Sequence, residues 1–185
     1  MKAKVNKITI EILEADPLNL LADAIVVVTD PNLTVSDRLL QVAGSEVLKQ
    51  TKQIGWCDVG SAVMTDAGEL DQALKLIHAV GPRWGEGSER GKLANVTWEC
   101  LRIAENRQLK SIALPAISVG TLGYPLESCA NIMLTRMIDY TFEQPSYLRK
   151  ILLGLSDVAA LQVFEAEFER QLRDLRENGE GVVRA

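Results

Sequence analysis

The chain has 185 residues, of which 47% are apolar and 24% are charged, proportions typical of one globular domain with a sizeable core. Its net charge of −5 argues against broad binding to nucleic acids or anionic membranes, which requires a basic face. The sequence lacks a signal peptide, an apolar run of the roughly 18 residues that span a bilayer, and closely spaced cysteines, so we expect a cytoplasmic protein without disulfide, metal or cofactor.

Apolar runs predict six strands, and helical spacing of apolar residues predicts five helices between them. The predicted strands are Ile8–Leu13, Ala24–Val28, Ser61–Met64, Leu74–Val80, Ser111–Leu114 and Lys150–Leu155. The predicted helices are Val35–Gly44, Glu46–Ile54, Lys92–Arg107, Leu126–Phe142 and Ala159–Leu175. Alternating strands and helices indicate an α/β/α sandwich, with the strands at 24–28, 111–114 and 150–155 in its interior. Two late glycines predict that the domain covers residues 1–176 and that residues 177–185 form a flexible tail.

The segment 111–127 carries the clearest functional signal. A strand ends at a proline, a loop with two glycines follows, and Pro125 opens a helix. This order can direct free backbone N–H groups and a helix N-terminus toward an anion, although an ordinary strand-to-helix turn uses similar residues. It predicts a phosphate-bearing ligand on the loop. The residues expected to contact the phosphate are Ser118, Val119, Gly120, Thr121, Leu122, Gly123 and Tyr124.

Five segments in a fixed order carry a family resemblance. They are Asp16 with Asp23-Ala24-Ile25-Val26, Gln41-Val42-Ala43-Gly44, Cys57–Ala62, Ile77–Trp84 and Ile112–Leu126. In this order and spacing they resemble the macro domain family of ADP-ribose-binding modules and ADP-ribosyl hydrolases. The resemblance covers roughly Ile8 to Leu172. It implies a mixed, mostly parallel sheet of six or seven strands between two helical layers.

The chain departs from the family pattern mainly at ligand-contacting positions. Where the family has an Asn and then a glycine run around the distal ribose, this chain has Asp30 and a shorter loop without those glycines. Leu122 replaces an aromatic residue that packs on the distal ribose, and Ser156 stands where many members stack an aromatic ring on adenine. Pro17 lacks the N–H that helps to hold adenine. We therefore expect weak binding of ADP-ribose.

Two carboxylates are candidates for ligand contact. By the resemblance Asp16 accepts from an adenine amino group, but capping of a turn before Leu18 fits equally. Asp30 is the only carboxylate placed to act as a general base near a ribose, yet an aspartate before Pro31 is also a common turn residue. His78 lies in an apolar strand and is expected to be a satisfied core histidine rather than a catalyst.

Three functions follow from this pattern. The first is a binder of an ADP-ribose-like or other phosphorylated nucleotide without efficient catalysis. The second is a non-catalytic scaffold with a vestigial pocket, and the third is an ADP-ribosyl or phosphate-ester hydrolase that uses Asp30. We favour the binder, because the glycine loop keeps its pattern while the catalytic positions do not. The expected partner is a phosphate or nucleotide such as ADP-ribose, without nucleic acid or membrane, and homo-oligomerisation is left open.

Overall fold

The computed structural model describes residues 1–185 and contains eight strands and five helices. The strands are β1 (Lys2–Val5), β2 (Ile8–Glu14), β3 (Ala24–Thr29), β4 (Ala62–Asp66), β5 (Lys75–Val80), β6 (Ser111–Leu114), β7 (Lys150–Leu155) and β8 (Val183–Arg184). The helices are α1 (Asp37–Ala43), α2 (Ser45–Ile54), α3 (Glu89–Asn106), α4 (Leu126–Thr141) and α5 (Val158–Asn178). None of these helices is both long enough and apolar enough to cross a membrane.

All eight strands form one sheet in the order β4-β5-β3-β6-β7-β2-β1-β8. Neighbours from β5 through β2 in this order run parallel, whereas β4, β1 and β8 pair antiparallel. The predicted interior strands β3, β6 and β7 occupy the third to fifth positions, as their apolar sequences require. Since parallel strands end at the same edge of a sheet, the loops that follow β2, β3, β5, β6 and β7 gather there.

Helices cover both faces of the sheet and build a core on each. On one face, α3, α4 and α5 bury the larger cluster, which includes Phe164 and Phe168 of α5. On the other face, α1 and α2 bury a smaller cluster in which Val47 of α2 packs with Ile25 and Leu76 of the sheet. The predicted α/β/α class is confirmed.

The two antiparallel strands at one edge differ from expectation, so the sheet has eight strands and not six or seven. Strand β1 was not predicted because it has no apolar run: exposed Lys2 and Lys4 alternate with buried Ala3 and Val5, as in a strand with only one buried face. Within residues 177–185, for which the sequence predicts a flexible tail, the last helix runs to residue 178 and Val183–Arg184 pair with β1. A free strand edge offers unpaired backbone groups, and the tail satisfies them.

Candidate functional site

Loops at the carboxyl ends of the parallel strands enclose a groove with two adjacent lobes. The Asp30 lobe has a volume of about 560 Å³ and is also lined by Arg83, Glu86, Thr121 and Leu122. The Asp16 lobe has a volume of about 320 Å³ and is lined by a mixture of apolar and polar residues. Four residues line both lobes: Val28, Thr29, Thr34 and Ser36. The lobes are therefore parts of one groove with a common wall at the end of β3.

The predicted phosphate loop, residues 118–124, joins the two lobes. It is closed by hydrogen bonds from Gly123 N–H to Gly120 O and from Tyr124 N–H to Ser118 O, each 2.9 Å. No backbone carbonyl accepts from the N–H groups of residues 119–122, just before α4 begins. Gly120 and Gly123 have φ angles of +85° and +73°, in the left-handed region that glycine adopts readily. The loop thus presents a run of free donors near a helix N-terminus.

The residues of this loop differ in their access to the groove. Val119 lines the Asp16 lobe, and Thr121 and Leu122 line the Asp30 lobe. Ser118 and Tyr124 are buried beneath the loop, so their side chains support it rather than line the groove. The Ser118 hydroxyl has no hydrogen-bond partner.

A second loop holds the phosphate loop in place. Trp84 donates its backbone N–H to Leu122 O at 2.9 Å, and Arg83 Nη1 donates to Thr121 O at 3.3 Å. The Trp84 ring packs edge-on against Tyr124, with ring centroids 5.1 Å apart. Arg83 also lines the Asp30 lobe, where its Nε lies 3.5 Å from Oε1 of Glu86. Nothing in the local sequence signals this role, because it depends on the approach of two distant loops.

Asp16 lies at the groove but is already engaged by the protein. One carboxylate oxygen accepts from Leu18 N–H at 3.0 Å and caps the short 3₁₀ helix Pro17–Asn19. The other oxygen forms an ion pair with Arg38. The turn-capping alternative is therefore present in the structure, together with a cationic neighbour that the sequence pattern did not reveal.

Asp30 has the geometry of a turn residue at the edge of its lobe. Its carboxylate accepts from Thr34 N–H at 3.2 Å, and its carbonyl accepts from Leu33 N–H at 2.9 Å. Hydrogen bonds from Thr34 hold the pKa of the Asp30 carboxyl below its usual value, which makes it a weaker base. Leu33 is buried against Cys57 and Val80, and it pins the loop between β3 and α1.

The remaining titratable candidates are structural in this arrangement. Burial lowers the pKa of His78 to about 4, and its Nε2 lies 2.8 Å from the Thr65 hydroxyl, so the ring is neutral and partnered. Burial raises the pKa of Cys57 and raises that of Cys129 to about 12, which disfavours the reactive thiolate. No three His, Cys, Asp or Glu side chains come together in a way that could hold a metal ion.

Comparison with known proteins identifies the family. The family model for the macro domain matches residues 29–133, more than half of the chain.

The chain belongs to the macro domain family. Two relatives are similar to this chain over most of its length. A protein of Saccharolobus solfataricus without an assigned function is 36% identical to this macro domain over 174 residues, which cover 89% of this chain and 95% of the relative. The O-acetyl-ADP-ribose deacetylase of Enterobacter sp. (strain 638) is 35% identical over 146 residues, covering 74% of this chain and 81% of the relative.

Solved structures share the fold of this macro domain. The Oceanobacillus iheyensis macrodomain with ADP superposes with a TM-score of 0.88 at 24% identity, covering 94% of this chain and 97% of that one. The Trypanosoma brucei macrodomain in complex with ADP-ribose gives a TM-score of 0.79 at 23% identity, covering 85% of this chain and 68% of that one. The family resemblance and fold inferred from the sequence segments are confirmed.

Proposed function

We propose that this macro domain binds an ADP-ribose-like nucleotide, a base and a sugar joined by a diphosphate, without hydrolysing it efficiently. The observation that carries the proposal is the run of free N–H groups at residues 119–122, placed between the two lobes and before α4. Backbone donors with a helix dipole behind them attract phosphate without a lysine or arginine. The Ser118 hydroxyl, buried without a partner below them, adds a further unsatisfied polar group.

The two lobes differ in the chemistry of their walls, and this difference orients the ligand. Pro17, Leu18 and Leu39 give the Asp16 lobe apolar walls that suit the faces of a base. Asp30, Arg83 and Thr121 give the Asp30 lobe polar groups of its own that suit a sugar. A diphosphate on residues 119–122 would join the base in the first lobe to the sugar in the second. The macrodomains solved with ADP and with ADP-ribose support this ligand class.

The groove also supports the expectation of weak binding. No Phe, Tyr or Trp lines either lobe, so a base or sugar finds no ring to stack on. Pro17 offers no N–H, and Leu33 holds the loop after β3 in its own packing site. Each lost stack or hydrogen bond removes on the order of 1 kcal/mol, so several together weaken binding by a factor of hundreds.

The carboxylate nearest the sugar lobe is a poor catalyst. Asp30 accepts hydrogen bonds within its turn, which keep it ionised and lower its basicity. No metal-binding cluster or activated cysteine supplements it. The loop that would place a catalytic water is short and pinned by Leu33. Most rate enhancement comes from preorganised donors around the reacting group, and a lone carboxylate does not supply them.

Titration calorimetry with ADP-ribose, ADP, AMP and adenosine tests the binding proposal. We expect ADP-ribose and ADP to bind with dissociation constants above one micromolar, AMP to bind more weakly, and adenosine to give no measurable heat. If neither ADP-ribose nor ADP gives a measurable heat of binding, the result would instead support a non-catalytic scaffold with a vestigial pocket. Submicromolar affinity for ADP-ribose would contradict the expectation that the absence of aromatic stacking partners weakens binding.

Turnover assays on ADP-ribosylated protein and O-acetyl-ADP-ribose test the second part of the proposal. We expect no saturable product formation with either compound. Saturable turnover that disappears in Asp30→Ala would show that the protein is an enzyme and that Asp30 is its base. The matched control is Asp37→Ala, which removes an exposed carboxylate from the first turn of α1.

The cell location and further partners belong to this proposal as well. We expect a cytoplasmic protein. Its net charge of −5 argues against broad binding to nucleic acids or anionic membranes. Residues 1–176 are expected to form the binding domain. Light scattering would decide between a monomer and a homo-oligomer.

A further inference from the structure

Arg38 is a charged residue of the groove that takes no part in the proposed contacts to phosphate and sugar. It lies in the first turn of α1, lines the Asp16 lobe, and has a side chain that is 61% exposed. One guanidinium nitrogen, Nη2, is paired with Asp16, whereas Nε and Nη1 have no hydrogen-bond partner in the protein. Nη2 carries a second N–H that shares an edge of the planar group with a neighbouring N–H, so the guanidinium keeps one pair of adjacent donors free at the mouth of the lobe.

The acceptor beside it is less available to a ligand. Asp16 has a side chain that is 21% exposed, so the guanidinium is the more accessible partner of the pair. Both carboxylate oxygens already accept, one from Leu18 N–H and one from Arg38. Pro17, next in the chain, has no N–H that could donate to a base beside the Asp16 acceptor. His78, which also lines the lobe, is hydrogen-bonded to Thr65. Of the two charged side chains of this lobe, the more accessible one is thus a hydrogen-bond donor.

We propose, on the basis of the proposed function that places the base in the Asp16 lobe, that Arg38 makes this lobe select a 6-oxopurine over adenine. Guanine and hypoxanthine present two adjacent acceptors, O6 and N7, and a forked guanidinium donates to both. Adenine presents N7 beside the N6 amino group, so one arm of the fork would meet a donor. Arg38 is a specificity-determining residue for the base and has no part in chemistry.

Calorimetry with IDP, GDP and ADP tests the selection. IDP and ADP share the ribose and the diphosphate and differ only at the purine C6 and N1 positions, so their comparison isolates the edge that faces Arg38. A bidentate contact discriminates by roughly 1–3 kcal/mol, and we expect IDP and GDP to bind about tenfold more tightly than ADP. In Arg38→Ala the preference should disappear, and the carboxylate of Asp16, released from its partner, should bind ADP no less tightly than before.

Two further variants test whether the preference for IDP depends on the forked geometry of Arg38 rather than on its positive charge alone. Arg38→Lys keeps the positive charge but not the fork, so the ratio of IDP to ADP affinity should fall while the affinity for ADP stays near that of the wild type. Arg173→Ala removes an exposed positive charge on α5, away from the groove, and should leave the ratio unchanged. Circular dichroism and thermal unfolding check that each variant folds.

The outcomes distinguish this proposal from the one on which it rests. If no diphosphate binds the wild type, the proposed function fails and the selection fails with it. If diphosphates bind but ADP equals or exceeds IDP, the groove is a diphosphate site and the selection is wrong. The selection is also wrong if Arg38→Ala lowers the affinities for IDP and ADP by the same factor, since Arg38 would then contact phosphate.

Discussion

Substitution of Gly120 by glutamate is the sharpest perturbation of the phosphate loop. Gly120 is exposed, and a Cβ built on it has no other atom within 4 Å, so the new side chain meets no steric barrier in the free protein. Its φ of +85° costs an L-residue about 1–2 kcal/mol, but that strain is present with and without ligand and acts mainly on stability. The change in affinity therefore reports the added charge.

The size of that change follows from Coulomb's law. A carboxylate about 4 Å from one phosphate charge is opposed by about 1 kcal/mol in water and about 4 kcal/mol at an effective dielectric constant of 20. For an exposed site we expect the binding free energy to fall by about 2–3 kcal/mol, which raises the dissociation constant for ADP-ribose roughly 30- to 150-fold. Gly120→Gln, with similar bulk and the same backbone strain, should weaken binding only a few-fold.

Calorimetry at low and high salt reads out the effect. Because salt screens exposed charges, the gap between the Glu and Gln variants should narrow as salt is raised. Equal affinities of the two variants at low salt would refute the placement of the diphosphate on residues 119–122. Thermal unfolding of both variants checks that they share the same loss of stability from the backbone strain.

Three predictions concern the fold that supports the groove. The free energy of unfolding should fall as the pH drops from 6.5 toward about 4, because the unfolded chain protonates His78 while the buried ring in the folded state does not. The slope reaches about 1.4 kcal/mol per pH unit, and urea titrations of His78→Gln should lack this part of it. Glu105→Ala should cost about 2–3 kcal/mol in urea unfolding, because its carboxylate accepts from three consecutive N–H groups at residues 146–148, and Glu105→Gln should cost less. Leu33→Ala should cost about 2–5 kcal/mol, because Leu33 is fully packed in its small cluster, and an unchanged urea midpoint would show that Leu33 does not pin its loop.

The sequence predicts those parts of the structure that depend on neighbouring residues. Strands β6 and β7 have their predicted limits, since each is a short apolar run bounded by polar residues or proline. The phosphate loop also depends on neighbouring residues, and its two glycines and Pro125 allow it to be predicted from the sequence. By contrast, β8 forms only because β1 presents a free edge at the other end of the chain. Tertiary pairing of this kind leaves no signal in a two-residue strand.

The same distinction holds within the groove. The resemblance pointed to Asp16 and Asp30, and the structure places both at the groove but engages their carboxylates in local turns. The contacts of the two arginines in the groove were not predicted. Arg38 meets Asp16 across 22 residues of sequence, and Arg83 meets Thr121 across 38, so both contacts depend on how the loops are brought together by the sheet.

The common wall of the two lobes limits how this groove can change. Val28, Thr29, Thr34 and Ser36 each line both lobes, so a substitution at any of them alters the two lobes together. On the outer walls the lobes have separate residues, such as Arg38 on one side and Arg83 on the other. Mutational drift or laboratory evolution can therefore change one lobe independently of the other only through substitutions on the outer walls.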